Sequence, residues 1–438
     1  MFRETVNQSK TIILKNSVAF LLLFICSFYN AQEMELCKCD LLKKSEDSIS
    51  AFNAKHEFKA ISKKEALKPK YDYISVQYLK KYSKSQDIVD SLELKISNEI
   101  SKIVPDTAYV SYKIRDSIER LEYSKKFGDI PKPVIIKTGK LHDAIAILYH
   151  TRNFYHPKYY LRISYDEGKS WKNYYTGLEK NANYLFKTNS KYPLWKDKNN
   201  IQIEADIVRM IKEPLFPSNP IPTYETIKNN ALITLNLKEI IKDSDDDGIN
   251  DLEEKFVYFT NPLSADTDKD GIMDFDDENP RYKNLNNDFT RLAEILRFGD
   301  YPLLTNNSTV QMDEFTTDLK TVHEDIQTQV EKQKSEFKPR ERSLLDLLEF
   351  KVIVTDDENI RRMDTYGEKT IFLTSKEYSN YLKYNYGINY CNYSKIFKCD
   401  DQKDTYILTF DGLIIGETYI FIKIPEGWIV RIGHRWQA

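Results

Sequence analysis

Two acidic stretches carry the residue types and offsets of an oxygen-lined cation site. The first reads Asp243-Ser-Asp245-Asp-Asp247-Gly248-Ile249-Asn-Asp251-Leu-Glu-Glu254, and the second Asp266-Thr-Asp268-Lys-Asp270-Gly271-Ile272-Met-Asp274-Phe-Asp-Asp277. A hard divalent cation takes six to eight oxygens at roughly 2.3 to 2.6 Å, and a twelve-residue loop supplies them from positions 1, 3, 5, 7, 9 and 12 around a glycine at 6. In the first stretch Asp243, Asp245 and Asp247 offer carboxylates, Ile249 a backbone carbonyl, Asp251 the ninth position and Glu254 a bidentate closing group. Asp266, Asp268, Asp270, Ile272, Asp274 and Asp277 take the same places in the second. The shorter Asp277 reaches less far than a glutamate, which predicts weaker binding there. The expected ion is Ca2+.

Charge points the same way. Residues 243–278 hold fourteen carboxylates against Lys255 and Lys269, a local charge of −12 in a chain of net −3. Without cations such a segment repels itself and should be loose. A solvated acidic loop is the plainer reading, but it does not explain glycine at position 6 and isoleucine at position 7 twice over.

The two loops start 23 residues apart, with Thr260-Asn261-Pro262 before the second, and this pairing resembles bacterial thrombospondin type 3 repeats. The resemblance covers about 38 residues, 243–280. It implies loops that wrap calcium without full flanking helices, in exported proteins, as stiff connectors rather than catalytic centres.

The chain around these loops reads as α+β and multidomain. Arg3, Lys10 and Lys15 precede an apolar run from Val18 to Phe28, the pattern of an export signal over residues 1–31 with cleavage after Ala31. The run is too short for a helix to span a bilayer core of roughly 30 Å, so no stable membrane span is expected. Cys26 follows the bulky Ile25, which does not suit lipoprotein processing. Removing the signal leaves Cys37, Cys39, Cys391 and Cys399, an even number suited to an oxidising compartment. Cys391 and Cys399 could close a hairpin; a zinc site is the competing reading, but no histidine accompanies either pair. Localisation reads as secreted, periplasmic or cell-surface.

Residues 32–128 read as a helical region, from the stripe Ile88, Leu92, Ile96, Ile100 and Ile103 that ends at Pro105, continued by Ile114, Ile118 and Leu121. From 129 to 242 the period falls to 2, cleanly in Ile201 to Ile207 and Ile233 to Leu237, which predicts an antiparallel β domain. Within it, Ile163 to Trp171 resembles an Asp-box, a hairpin turn in which Asp166 satisfies loop amides and Trp171 packs beneath. Asp-boxes recur in sialidase-like propellers. A single copy in a region too short for four blades favours structural use. Trp171, Tyr174, Tyr175 and Trp195 remain candidate sugar platforms.

After the loops, 281–340 reads as a helical linker: a short helix from Asn287 to Arg297 ended by Gly299, then a long one on Met312, Phe315, Leu319, Val322, Ile326 and Val330. That spacing resembles a heptad seam, which could dimerise the chain or lie on its own domain. Residues 341–438 read as an α+β domain, with strands at Lys351 to Thr355 and Lys369 to Leu373, a helix capped by Thr374 and Glu377, and final strands ending in Trp428 to Trp436.

No catalytic signature accompanies these elements. There is no G-x-S-x-G, H-E-x-x-H or phosphate loop, and of six histidines only His142, His150 and His156 cluster in sequence. No concentrated basic stripe points to nucleic acid. The expected function is an exported calcium-binding protein in which the loops form a rigid connector between non-catalytic regions, with a protein or cell-surface glycan partner. The alternative is an exported hydrolase or carbohydrate-binding protein with structural calcium.

Overall fold

A computed structural model describes residues 41–80, 130–151, 157–179, 183–213, 223–298, 314–336, 348–384, 390–412 and 415–437. The export signal, Cys37, Cys39, the Ile88 to Leu121 stripes, His156, Gly299 and Met312 lie outside these residues. The content is mixed α and β, and the sheets are mostly antiparallel. Among the described residues no helix is long and apolar enough to cross a membrane.

The first helix, α1 (Leu41–Lys55), buries Leu41, Ser45, Ile49 and Phe52, one stripe at helical spacing. A four-residue helix, Lys63–Ala66, follows, and then the chain departs from the helical expectation: Ile74–Tyr78 is a strand, β1. Ile74, Val76 and Tyr78 alternate with Ser75 and Gln77, the strand period. A ladder against a long partner strand stabilises five residues that could not hold a helix alone.

Strands β2 (Ile135–Leu141), β3 (Ala144–His150), β4 (Lys158–Ser164) and β5 (Lys172–Glu179) form a four-stranded meander. Then come β6 (Tyr184–Phe186), β7 (Trp195–Asp197), β8 (Asn200–Lys212) and β9 (Thr223–Asn236). These join β1 in a second sheet, ordered β1-β9-β8-β6 with β7 on β8. Ile74 pairs with Leu235 and Tyr78 with Ala231.

Beyond the acidic loops lie α2 (Asp288–Phe298), β10 (Glu314–Thr317) and α3 (Leu319–Glu336). Asn287 caps α2, accepting from Phe289 N at 2.9 Å and Thr290 N at 3.0 Å. The long helix begins later than its apolar spacing suggested, because Phe315 sits in β10 opposite Val430. Two threonines in this short strand are stiff at χ1 and favour the extended chain. Leu319 and Ile326 of the seam pack in the same core as Leu292 and Ile295 of α2, so this face of the helix lies on its own chain.

The last region holds β11 (Lys351–Thr355), β12 (Thr370–Leu373), α4 (Ser375–Tyr384), β13 (Tyr390–Tyr393), β14 (Phe397–Lys398), β15 (Thr405–Asp411), β16 (Ile415–Ile424) and β17 (Gly427–Gln437). With β10 they make an eight-stranded sheet, ordered β10-β17-β16-β15-β13-β11-β12, with β14 on β15. β11 runs parallel to both β12 and β13. The capping box of α4 is formed: Thr374 N donates to Glu377 Oε2 at 2.8 Å, and Glu377 N to Thr374 Oγ1 at 3.2 Å.

The apolar runs of β11 and β12 are explained by burial on both faces. Val352, Val354, Ile371 and Leu373 join a core that extends through Ile249, Leu252, Val257 and Tyr258 to the strands β2 to β5, β8 and β9. The alternating residues Ile353 and Phe372 face a second core with Leu408, Phe421, Trp428 and Val430. Tyrosines fill much of this interior, with Tyr149, Tyr159, Tyr160, Tyr175, Tyr184, Tyr378 and Tyr381 fully buried.

Candidate metal centre

The two loops share a backbone path. Asp246 and Lys269, both at position 4, have φ of 59° and 64°, and Gly248 and Gly271, both at position 6, have φ of 99° and 101°. Only glycine enters the last conformation without a Cβ penalty. Side chains then brace the turn in the same way twice. Ile249 N donates to Asp247 Oδ1 at 2.7 Å, and Ile272 N to Asp270 Oδ1 at 2.8 Å.

The ninth-position carboxylates close each loop onto its second residue. Asp251 accepts from Ser244 N at 3.0 Å and Ser244 Oγ at 3.1 Å, and Asp274 accepts from Thr267 N at 2.8 Å and Thr267 Oγ1 at 2.7 Å. Lys242 also donates to Asp251, at 2.6 Å. These two carboxylates therefore hold the frame, while the residues at positions 1, 3 and 5 converge. One ligand atom each from Asp243, Asp245 and Asp247 lies within 4.8 Å of the others, and the same holds for Asp266, Asp268 and Asp270.

Four buried oxygens in the first loop have no hydrogen-bond partner: Asp243 Oδ1, Asp245 Oδ2, Asp247 Oδ2 and Glu254 Oε2. Asp268 Oδ2 is the corresponding atom in the second. A buried polar group left without a partner costs about 1 to 3 kcal/mol, and more when charged. Burial pushes the Asp247 carboxyl up to about 7 and Glu254 up to about 8, with Asp245 adding to both. Burial likewise raises Asp268 to about 6, with Asp270 adding, and Asp277 to about 7, with Asp270 and Asp268 adding. A divalent cation in each loop would satisfy that loop's oxygens together and remove the reason for the shifts. The donor set is oxygen only, which suits a hard cation such as Ca2+. Asp243, Asp245, Asp247 and Glu254 would hold one ion, and Asp266, Asp268, Asp270 and Asp277 the other.

The loops differ in depth. Ile249 is buried within the core that includes β2 to β5, β8 and β9, whereas Ile272 and Met273 are exposed. Thr260 Oγ1 donates to Glu254 Oε1 at 3.2 Å, so one glutamate oxygen is fixed while the other is buried without a partner.

Anchors that spacing did not reveal tie the loops to both sides. Asn250, buried, donates to Tyr175 O at 2.9 Å and Ile240 O at 2.8 Å, and accepts from Tyr175 N at 3.2 Å. Tyr160 OH donates to Glu253. On the opposite side Lys369 donates to Asp274 O at 3.1 Å and Phe275 O at 2.7 Å, with its ammonium 4.6 Å from the Tyr258 ring centre. Gly367 N donates to Glu278 Oε2 at 2.6 Å, Thr370 N to Glu278 O at 2.7 Å, and Asn279 Nδ2 to Arg361 O at 2.9 Å. Asn250 is an ordinary polar residue at position 8, and nothing in its neighbours signals a partner on a strand 75 residues away.

Other candidate sites are placed as follows. In the Ser164 to Trp171 hairpin, Asp166 accepts from Ser170 N at 2.8 Å and Ser170 Oγ at 2.6 Å, and the Trp171 indole donates to Gly168 O at 3.0 Å. Hydrogen bonds from Ser170, then Ser164, hold the Asp166 carboxyl down at about 2. Tyr174, Tyr175 and Trp195 are buried, so a sugar has no access to their faces. His142 lies in the β2–β3 turn and His150 at the far end of β3, a full strand length apart. Cys391 is free and Cys399 is disulfide-bonded, so the two do not bond each other; they lie on β13 and beyond β14, strands that both pair with β15 but not with each other. No protein-family model, curated protein or solved structure matches the chain.

Proposed function

We propose that this is an exported calcium-binding protein whose two acidic loops, filled by Ca2+, rigidly connect non-catalytic regions on either side. In this reading a helical N-terminal region and an antiparallel β domain precede the loops, and an α+β domain follows them. One observation carries it: the oxygens of Asp243, Asp245, Asp247, Glu254 and Asp268 that are buried without a partner belong to the residues whose spacing fits a calcium loop. The connector role is supported by anchors in both directions, Asn250 and Glu253 toward β4 and β5, and Glu278 and Asn279 toward the segment between β11 and β12. Export is supported by the N-terminal apolar run and by the disulfide at Cys399, a bond that persists in oxidising compartments.

The test is a calorimetric calcium titration of the chain without residues 1–31, beside an Asp247→Asn, Asp270→Asn variant. The parent should bind about two ions saturably, and the variant should lose both. A parent that takes up no calcium would sink the reading. Calcium should also slow proteolysis of the regions on each side of the loops, as a connector requires.

A further inference from the structure

A cavity of about 430 Å³ opens between α1 and the end of the sheet where β15, β16 and β17 meet. Three carboxylates line it, from Glu46, Asp411 and Glu417, together with Asn53, His434 and Trp436. Glu417 is already matched by the Arg435 guanidinium. Of the other two, Glu46 meets only His434 among titratable side chains, and Asp411 no charged side chain among the described residues. Among the described residues neither Glu46 nor Asp411 pairs with a lysine or arginine.

Asp411 accepts one hydrogen bond, from the neutral amide of Asn53 at 2.8 Å. Its other oxygen has no hydrogen-bond partner among the described residues, and burial raises this carboxyl above its ordinary range. Glu46 Oε1 meets Thr418 Oγ1 and His434 Nδ1, both at 3.2 Å, and its Oε2 is likewise open. Behind Thr418 a run of hydroxyls fixes the floor: Thr418 to Thr409 at 3.0 Å, Thr409 to Ser45 at 2.7 Å, and Ser45 to Ser394 at 2.9 Å.

The remaining wall is aromatic. Trp436 pairs with Gly416 across the β16–β17 ladder, and a Cβ on Gly416 would lie 1.9 Å from the indole nitrogen. The indole thus lies on bare backbone while staying 37% exposed, one of the few large apolar side chains that do. A cavity in which no lysine or arginine neutralises Glu46 or Asp411, walled by a part-exposed indole, is complementary to positive charge on a carbon frame. We infer that this cavity binds a small organic cation, an ammonium group on a short carbon frame, with Asp411 and Glu46 as counter-charges and Trp436 as its wall.

Putrescine and tetramethylammonium are suitable probes, titrated into the calcium-saturated protein so that the acidic loops do not compete. Saturable binding should weaken with added salt. It should also fall by about tenfold or more in Asp411→Asn and in Trp436→Leu, with the thermal midpoint showing that each variant is folded. Two substitutions on different walls keep the test open if one of them unfolds the chain. Absence of saturable amine binding, equal binding in both folded variants, or equal binding of neutral N-acetylglucosamine would each overturn the assignment.

Discussion

At the scale of single residues, Asn250 does work that its position in the loop does not advertise. Its amide replaces a stretch of backbone ladder, satisfying Tyr175 on both its N–H and C=O and the carbonyl of Ile240. Asn250→Ala removes all three bonds from a buried site. The expected cost is roughly 2 to 4 kcal/mol, read as a lower urea midpoint in saturating calcium, and a change below about 0.5 kcal/mol would contradict the role. The convergence of the carboxylates at positions 1, 3 and 5 was legible in the sequence, because an oxygen-lined cation loop imposes fixed offsets. Asn250 was not, since its partners are distant in the chain. Nor did spacing separate Asp251 and Asp274, which brace their own loops through Ser244 and Thr267, from the converging trio.

At the scale of elements, the acidic loops tie stability to pH in a direction opposite to most carboxylates. In the calcium-free fold burial lifts Asp247 to about 7 and Glu254 to about 8, above ordinary values near 4. Between those limits the folded chain binds more protons than the unfolded chain, so stability falls as pH rises. In EDTA the thermal midpoint should drop from pH 5 to pH 8. With saturating calcium the decline should flatten, and calcium affinity should itself weaken below about pH 7 as protons compete for the same oxygens. A midpoint in EDTA that climbs over this range would show that these groups are not buried as described. Elements with strong local signals were readable: the α4 capping box, β11, and the alternation of β8 and β9. Those without were not. β1 and β10 are short, and each is a strand only because a longer partner supplies the ladder, β9 in one case and β17 in the other.

At the scale of the whole molecule, the acidic segment is not a free stalk between independent bodies. Ile249, Leu252, Val257 and Tyr258 belong to the same core as the strands before them and β11, β12 and α4 after them. Calcium removal should therefore raise amide hydrogen exchange on both sides, at β5 around Tyr175 and at β12 around Thr370. Loosening confined to residues 243–280 would show that the loops can move without their neighbours. Sequence patterns do not reveal that two cores share β11 and β12, because that depends on pairing between segments far apart in sequence.

The double-faced strands β11 and β12 also set an order of events during synthesis. Residues 135–258 are made long before Val352, Val354, Ile371 and Leu373, yet those four residues help to seal the core that the earlier strands begin. A nascent chain that stops before β11 carries an apolar face with nothing to cover it. Such an intermediate needs shelter until the final hundred residues emerge, and the export proposed above would supply that delay in the crossing itself.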